Sequence, residues 1–299
     1  MKKKFYSNGK LLLTGEYVVL DGATALAIPT KYGQSLEVSA SKKEIIHWKS
    51  LDENGALWFE DFFDLKNFES KNRNEISETL SKILNEARKL NPDFLYENQG
   101  MHIITKLDFP RNWGLGTSST LINNIAQWAK VDGFALLANS FGGSGYDIAA
   151  AQTDAPLLYE IKKGIPKFRK VHLSWSFTDS LFFVHLNQKQ DSKEGIAKYK
   201  NSSVYEKTLQ RISDISNKLL ICYSLSDFEQ LMNAHEEIIS ETINLPTIKK
   251  QLFSDYPNTI KSLGAWGGDF ILASGDKNEM DYFRKKGFET IIPFDEMIK

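Results

Sequence analysis

Residues 110–119 read PRNWGLGTSS, and their last six, Gly114–Ser119, form a glycine run of mostly small residues between a predicted strand, Met101–Leu107, and a predicted helix, Leu121–Ala129. Glycines let a backbone approach an anion closely and adopt positive φ. The free N–H groups at the start of the following helix face such an anion, and the helix dipole adds attraction. The run is therefore predicted to bind phosphate through six residues: Gly114, Leu115, Gly116, Thr117, Ser118 and Ser119.

The same run also fits an ordinary loop that caps a helix, with Thr117 or Ser118 as the N-cap residue. Short glycine motifs are common by chance, so the residues alone leave both interpretations open. The run is not a Walker P-loop, because no Gly-Lys-Ser/Thr sequence follows it, and it lacks the Gly-x-Gly-x-x-Gly of a Rossmann turn.

The order Pro-x-x-x-Gly-Leu-Gly-Ser/Thr-Ser resembles the phosphate-binding signature of the GHMP kinases, and residues 110–118 match it. This superfamily includes galactokinase, homoserine kinase, mevalonate kinase and phosphomevalonate kinase. The resemblance implies that ATP binds with Mg²⁺ at Gly114–Ser119. It also implies that the Ser118 hydroxyl ligates the metal, because the family has a Mg²⁺-binding hydroxyl at this position.

Residues 8–22, NGKLLLTGEYVVLDG, are similar to the first motif of the family, Pro-Gly-Lys followed by Gly-Glu-His/Tyr. Asn8 replaces the leading proline, and Tyr17 stands where phosphomevalonate kinases tend to have tyrosine. The resemblance implies that Lys10 is the catalytic cation near the transferred phosphoryl group, and that Tyr17 contacts the acceptor. Without the resemblance, Lys10 is an ordinary solvated lysine, and Glu16 pairs with a neighbouring cation.

Residues 142–151, GGSGYDIAAA, resemble the Gly-Ser-Gly-Phe/Tyr-Asp-x-Ala-Ala sequence of phosphomevalonate kinases. Asp147 aligns with the family's catalytic aspartate, which takes the proton of the acceptor hydroxyl or positions that hydroxyl together with Lys10. Either role is adequate, because phosphoryl transfer depends mostly on positioning and charge stabilisation. Ser144 and Gly145 are implied to contact the acceptor. The alternative for Asp147 is an N-cap residue in front of a helix.

Residues 264–270, GAWGGDF, resemble the third motif of the family, and phosphomevalonate kinases have a similar Gly-Gly-Asp-Cys. The resemblance implies that Gly267, Gly268 and Asp269 contact the substrate. Trp266 stands at a position that is usually glycine, and the simpler alternative for the segment is a tight turn before a strand. The four segments occur in the family's order and at its spacing, and together they span almost the whole chain.

One position departs from the family, because Phe134–Ala138 contains no carboxylate where mevalonate kinases have a Mg²⁺-binding glutamate. Metal binding is therefore expected to rest on the ATP phosphates, on Ser118 and on Asp147. The five histidines show no metal-ligand spacing and are interpreted as structural or surface residues. Three cations fit either an anionic acceptor or a solvated surface position: Lys31, Arg73 and Arg111.

The composition is that of a soluble globular protein, with 41% hydrophobic and 25% charged residues. A net charge of −1 argues against a dedicated nucleic-acid binder. The single cysteine, Cys222, excludes an intramolecular disulfide and fits a reducing cytosol. Residues 7–10 break the apolar run near the N-terminus, and no apolar stretch is long enough to span a bilayer. We expect a cytoplasmic protein with a small-molecule acceptor and no membrane partner, and a homodimer is compatible with the sequence.

Hydrophobic periodicity predicts strands and helices along the chain. Strands are predicted at Leu11–Leu20 with a break at Gly15-Glu16, and at Gln34–Ala40, Ile45–Lys49, Ala56–Phe59, Met101–Leu107, Ser180–Leu186, Phe270–Ala273 and Thr290–Ile292. Helices are predicted at Glu75–Leu90, Leu121–Ala129, Ser203–Leu220, Leu225–Ile243 and Glu279–Lys286. Polar residues around Ile161–Pro166 indicate a boundary between a domain of residues 1–165 and a domain of residues 166–299.

The resemblance implies a two-domain α/β (α+β) fold like that of other GHMP kinases. Residues 1–165 are expected to form the ATP-binding domain, similar to the ribosomal protein S5 domain 2-like fold, and residues 166–299 a ferredoxin-like α+β sandwich. The expected acceptor is phosphomevalonate, slightly ahead of mevalonate, in isoprenoid precursor synthesis. Two alternatives keep the fold: an enzyme like diphosphomevalonate decarboxylase, and a sensor that binds ATP or a metabolite without catalysis. The third alternative is an unrelated α/β protein with coincidental glycine loops.

Overall fold

Strands dominate the opening of the chain, and helices follow at the positions where the apolar spacing changes to a helical period. The computed structural model describes residues 2–72, 74–95, 99–188, 196–197, 199–200, 205–264, 266 and 268–299. The chain divides into two compact units. Unit 1 comprises Met1–Gly9, Tyr32–Arg111 and Gly116–Gln152, and unit 2 comprises Lys10–Lys31, Asn112–Leu115 and Thr153–Lys299.

The first sheet is mixed. Within the described residues its strands are β1 (Lys3–Thr14), β2 (Ala25–Ser41), β3 (Ile46–Leu51), β4 (Leu57–Phe63), β5 (Gly100–Leu107), β6 (Leu157–Lys162) and β7 (Ile165–Lys170). Their order is β4-β3-β5-β2-β6-β7, and β1 pairs with β2. The β3–β5 pair is parallel, whereas β2–β5, β2–β6, β3–β4 and β6–β7 are antiparallel.

Unit 1 adds helices α1 (Glu75–Leu90), α2 (Thr117–Ala129), α3 (Gly133–Ser140) and α4 (Tyr146–Ala151) to its strands. α1 begins and ends at the predicted residues. The Asn74 side chain caps its start by accepting a hydrogen bond from the Ser77 N–H at 3.0 Å. Its apolar face packs on the sheet around the fully buried Trp48 and Phe63. Burial of such large side chains is the main force that holds helices on a sheet.

Unit 2 contains a second sheet, formed in the described chain by β8 (Leu181–His185), β9 (Ile260–Ser262), β10 (Phe270–Ser274) and β11 (Ile291–Pro293). The strand order is β11-β8-β10-β9, and every pair is antiparallel. When the four strands of this sheet are numbered from 1 to 4 in chain order, the order is 4-1-3-2. Helices α5 (Glu206–Lys218), α6 (Leu225–Ile243) and α7 (Ile248–Leu252) follow the first strand, α8 (Asp281–Lys285) follows the third, and α9 (Phe294–Met297) ends the chain. The predicted ferredoxin-like α+β sandwich is confirmed.

The core of this sandwich is built from aromatic and aliphatic side chains on the inner faces of the second sheet and its helices. Phe253 and Phe283 pack edge to face with ring centroids 5.1 Å apart, and both are fully buried with Ile271. None of the helices in the described part of the chain has the length and apolar character needed to cross a bilayer.

Several sequence predictions differ from the structure in detail. β1 ends at Thr14, at the predicted break, but the chain does not resume as a strand: Gly15 and Tyr17 have positive φ values of 91° and 65°, and Val18–Asp21 form a short 3₁₀ helix. α2 begins at Thr117, before the predicted start at Leu121, because its small polar residues also take helical geometry. The three-residue β9 was not predicted.

The predicted domain boundary at residues 165 and 166 lies at the start of β7, where the chain leaves the turn of the β6–β7 hairpin. The compact units group the chain differently, since each of them contains several separate segments.

Candidate active site

The glycine run leads directly into α2. Gly116 is the N-cap residue, with a left-handed φ of 91°, and no side chain caps the helix. The first N–H groups of α2 therefore have neither an intrahelical acceptor nor a capping side chain, which is the arrangement that attracts anions. The alternative in which Thr117 or Ser118 is the N-cap residue is wrong.

The two serines of this run differ in exposure. Ser119 is buried, and its hydroxyl donates back to the carbonyl oxygen of Gly116 at 2.9 Å. Ser118 is exposed on the first turn of α2. Of the two hydroxyls, the Ser118 hydroxyl is thus the one placed to meet a ligand from solvent.

Lys10 lies on β1, within unit 2, and is fixed to the loop by two hydrogen bonds. Its backbone N–H donates to the Leu115 carbonyl oxygen at 3.0 Å, and its Nζ donates to the Gly114 carbonyl oxygen at 2.9 Å. The side chain is partly buried. The structure therefore places a lysine ammonium at the first residues of the predicted phosphate loop.

Asp269 approaches the same loop within unit 2. A Cβ atom at Gly114 would lie only 2.2 Å from Cγ of Asp269, and Gly114 has a φ of 65°. Position 114 therefore requires glycine for two independent reasons, conformation and space. Gly268 and Trp266 are buried beside Asp269, whereas the predicted site residue Gly267 lies outside the described residues.

Asp147 is the second residue of α4, in unit 1. The N-cap residue of this helix is Gly145, with a φ of 85°, so the alternative in which Asp147 is the N-cap residue is wrong. The Asp147 Oδ1 atom accepts a hydrogen bond from the backbone N–H of Ile148 at 3.0 Å, and the side chain is partly exposed. Ser144 and Gly145 precede it, separated from it only by Tyr146, so these three predicted site residues lie within four consecutive positions.

Glu16, the glutamate of the first motif, belongs to a buried charged cluster of unit 2 that consists of Glu16, His235, Glu236 and Lys261. Oε1 of Glu16 accepts a hydrogen bond from Lys261 Nζ, which also lies 3.2 Å from Oε1 of Glu236. Burial raises the pKa of the Glu16 carboxyl to about 7, although the charge of Lys261 opposes this shift. Burial likewise raises the pKa of Glu236. The prediction that Glu16 pairs with a cation is confirmed.

His235 connects this cluster to the backbone of the first motif. The Gly15 N–H donates to Nε2 of His235 at 3.0 Å, so the ring proton resides on Nδ1. Nε2 lies 3.2 Å from Oε2 of Glu16 without donating to it. Burial lowers the pKa of His235 well below its ordinary value, and Lys261 adds to the shift, so the ring is neutral at neutral pH. His235, Glu236 and Lys261 were not predicted from the sequence as contacts of this motif.

Tyr17 follows Glu16 in a left-handed conformation, with a φ of 65°, and its side chain is buried. Its ring stacks on the ring of Tyr199, with centroids 5.8 Å apart and planes inclined by 24°. The Tyr199 hydroxyl donates to Asp21. A non-glycine residue with such a φ is strained, and this packing holds it in place. That Tyr17 contacts an acceptor stays a prediction.

Comparisons with known proteins show which structures this chain resembles. A scan of the sequence against family models gave no match, and a search of the curated proteins gave none either. Mevalonate kinase from Methanococcus jannaschii is similar in structure, with a TM-score of 0.72 and 16% identity over 98% of this chain and 97% of that chain. Streptococcus pneumoniae phosphomevalonate kinase in complex with phosphomevalonate and AMPPNP has a TM-score of 0.68 and 16% identity, over 97% of this chain and 99% of that chain. Lactococcus lactis galactokinase complexed with galactose has a TM-score of 0.67 and 14% identity, over 95% of this chain and 88% of that chain.

This chain has the GHMP kinase fold. The match extends over nearly the whole of this chain and over most or all of each known protein. At these low identities the similarity concerns the fold, and the predicted fold class is confirmed. The similar structures include kinases named for different acceptors, so the fold leaves the acceptor open.

The remaining predicted cations of this GHMP-fold protein have other contacts. Nζ of Lys31 donates to the Asp295 carbonyl oxygen, and the Arg111 guanidinium lies 3.7 Å from the ring centre of Trp58. Arg73 lies outside the described residues. The carboxylate nearest in sequence to Phe134–Ala138 is that of Asp132, which caps α3 by accepting from the Ala135 N–H at 2.8 Å.

The crowding at Gly114 generates a stability prediction. Gly114→Ala should lower the free energy of unfolding by about 2 kcal/mol more than Gly142→Ala does. Both glycines have positive φ, 65° and 72°, but an added Cβ at Gly142 would meet nothing within 4 Å. Urea unfolding of the two variants isolates the steric contribution. Equal losses would contradict the close approach of Asp269, and the added substitution Asp269→Ala should restore part of the loss.

The buried charged cluster generates a pH prediction. The Glu16 carboxyl titrates near 4.5 in an unfolded chain and at about 7 in the folded protein. The folded state therefore holds this proton more tightly, so its stabilising contribution is complete below pH 4.5 and is lost as the pH rises to about 7. The stability of the wild type relative to Glu16→Gln should fall over this range by on the order of 3 kcal/mol. Denaturant titrations at several pH values measure it, and a difference independent of pH would contradict the prediction.

Proposed function

We propose that this protein is an ATP-dependent small-molecule kinase whose acceptor is phosphomevalonate or, as the second choice, mevalonate. The observation that carries the proposal is the glycine run. It leads into a helix without a capping side chain, and its first residue accepts a hydrogen bond from the ammonium of Lys10. An uncapped helix start and a fixed lysine both favour phosphate groups.

Lys10 is the proposed catalytic cation. Its backbone and its Nζ are both hydrogen-bonded to the loop, so little conformational freedom remains to be lost when a phosphate approaches. A positive charge that is already in place stabilises the charge that develops on the transferred phosphoryl group without reorganisation. Gly114 and Leu115, whose carbonyl groups hold Lys10, belong to the loop proposed to meet that phosphoryl group.

Bound Mg²⁺ would neutralise phosphate charge and orient the reacting groups. Among the described residues, no group of three His, Cys, Asp or Glu side chains is arranged to hold a metal ion by itself. The proposed ligands are therefore the phosphate oxygens of the nucleotide and the exposed hydroxyl of Ser118. This donor set fits Mg²⁺, which prefers oxygen ligands and retains several waters.

Asp147 is the proposed acceptor-side residue. With a hydroxyl acceptor, one proton must leave as the new P–O bond forms, and the partly exposed carboxylate of Asp147 is the proposed base. With a phosphate acceptor, the attacking oxygen is already unprotonated near neutral pH. In that reaction Asp147 positions the acceptor and removes no proton.

The choice of acceptor rests on three resemblances to phosphomevalonate kinases: Tyr17, the Gly-Ser-Gly-Tyr-Asp segment that ends at Asp147, and the segment that ends at Phe270. Structures that share this fold include a phosphomevalonate kinase in complex with phosphomevalonate and several mevalonate kinases. Because a galactokinase also shares this fold, a sugar is included among the acceptors to be tested.

The proposal is tested by ADP release from ATP and Mg²⁺ with a panel of acceptors: mevalonate, phosphomevalonate, diphosphomevalonate, homoserine and galactose. Asp147→Asn should lower kcat by at least about 100-fold with a hydroxyl acceptor, because a base is lost. A smaller loss is expected with phosphomevalonate, which needs no base. Asp132→Asn is the matched control, since it alters another carboxylate at a helix start in the same unit, and its kcat should stay within about twofold of the wild type.

Each result of the panel has a definite meaning. Turnover of phosphomevalonate or mevalonate that is lost in Lys10→Met supports the proposal. Release of CO₂ from diphosphomevalonate would identify a decarboxylase instead. Binding of ATP without turnover of any acceptor would identify a nucleotide-binding sensor and overturn the proposed kinase.

A further inference from the structure

Part of the buried surface of α2 is polar, although a helix packed against a sheet usually buries apolar side chains there. Thr120, Asn123 and Asn124 are each at most 1% exposed, and none of them carries a charge. Buried amides and hydroxyls persist only where they are hydrogen-bonded. Their partners therefore show what this side of the helix is built to hold.

A chain of hydrogen bonds joins these side chains to both opening strands within unit 1. Asn123 Nδ2 donates to Ser7 Oγ at 2.8 Å, and Ser7 Oγ donates to Asn124 Oδ1 at 2.9 Å. Asn124 Nδ2 donates to the Gln34 carbonyl oxygen at 2.8 Å, and the Thr120 hydroxyl donates to Gln34 Oε1 at 2.8 Å. The start of α2 is thereby fixed in one position on β1 and β2.

The same network reaches α4 through Gln152, the residue that ends it. Gln152 Nε2 donates to Asn123 Oδ1 at 3.0 Å. Gly133, the first residue of α3, passes over this hydrogen bond so closely that an added Cβ would lie 2.9 Å from Nε2 and 3.2 Å from Oδ1. Glycine at this position leaves room for the bond.

We propose that Asn123 and Gln152 are positioning residues that hold α4, and with it Asp147, in a fixed place relative to the start of α2. This inference rests on the proposed kinase function for its catalytic consequence. α4 also packs on α2 through the buried Ile148, but apolar contact has no preferred direction. The directional hydrogen bond between Asn123 and Gln152 supplies the register that the apolar contact lacks.

The short length of α4 makes this register effective. Five residue steps separate Asp147 from Gln152, which corresponds to about 7.5 Å along a helix. So short a helix moves as a rigid piece, so a shift at Gln152 displaces the carboxylate of Asp147 as well. A misplacement of about 1 Å in a reacting group can lower a rate by about 100-fold.

The test compares two variants that remove the hydrogen bond without emptying the core. Gln152→Ala deletes the donor. Gly133→Ala adds a methyl group that would displace the flexible end of Gln152 and would also lie 3.1 Å from Cγ2 of Ile148. Both should lower kcat by at least about tenfold and leave KM for ATP within about twofold, because the phosphate loop is untouched. Gln152→Lys keeps a donor of similar reach and should restore most of kcat.

Thr105→Val is the matched control for loss of stability. The Thr105 hydroxyl donates to Ser50 Oγ at 2.9 Å in another buried part of unit 1, so this variant should lower Tm and leave kcat unchanged. A kcat within twofold of the wild type in Gln152→Ala would overturn the inference. A parallel decrease in kcat, ATP affinity and Tm would also overturn the inference, because it would indicate a general loss of stability.

Amide hydrogen exchange of residues 145–152 tests the same inference without any acceptor. Gln152→Ala should speed exchange in this segment relative to the wild type, and Thr105→Val should not. If the wild type turns over no acceptor, the proposed kinase fails, and the exchange result alone then decides the inference. Equal exchange in the wild type and in Gln152→Ala would overturn it.

Discussion

The hydrogen bond from the Lys10 N–H to the Leu115 carbonyl oxygen fixes the glycine loop to β1, and the proposed chemistry depends on it. The residues that follow Lys10 on β1, Leu11–Leu13, are buried, so the strand is a rigid support. The same residue donates its Nζ to Gly114, which places the ammonium beside the loop. One residue thus determines both the path of the loop and the position of its nearest cation. A loop held in this way needs no ligand to organise it, which favours tight binding of a transition state.

Much of the fold could be predicted from hydrophobic periodicity, and the failures have physical reasons. α1 was predicted at its observed ends from the helical spacing of its apolar residues, and the structure adds the Asn74 cap at its start. β9 was missed because it has three residues and includes Lys261, a lysine that only its buried partners explain. The sequence also indicates a cation for Glu16 but not which one, since Lys261 lies 245 positions away. A residue pair so distant in sequence leaves no local pattern.

For the site, the sequence predicted the loop and its charged residues but not the polar supports behind them. The sequence explains glycine at position 114 by the close approach of a phosphate. The structure adds a second reason, because Asp269 leaves no room for a Cβ atom there. Asn123 and Gln152 carry no signature in the sequence, because the hydrogen-bond partner of an amide side chain cannot be inferred from sequence alone. For His235 the sequence did contain a signal. It follows Phe228 and Met232 at helical spacing on the buried side of α6, and this spacing indicates a buried histidine.

The first motif separates two charges that are close in sequence and differ in environment. Lys10 is partly exposed at the loop, whereas Glu16 is buried with Lys261 and takes no part in the loop contacts. A buried ion pair is weak evidence for stability, because desolvation of the charges offsets their attraction. The raised pKa of Glu16 indicates that desolvation outweighs the attraction to Lys261 here. What the cluster does fix is the strained turn at Gly15 and Tyr17, through the hydrogen bond from Gly15 to His235. Loss of activity after substitution of Glu16 would therefore report on the geometry of this turn, whereas loss after substitution of Lys10 would report on the charge at the loop.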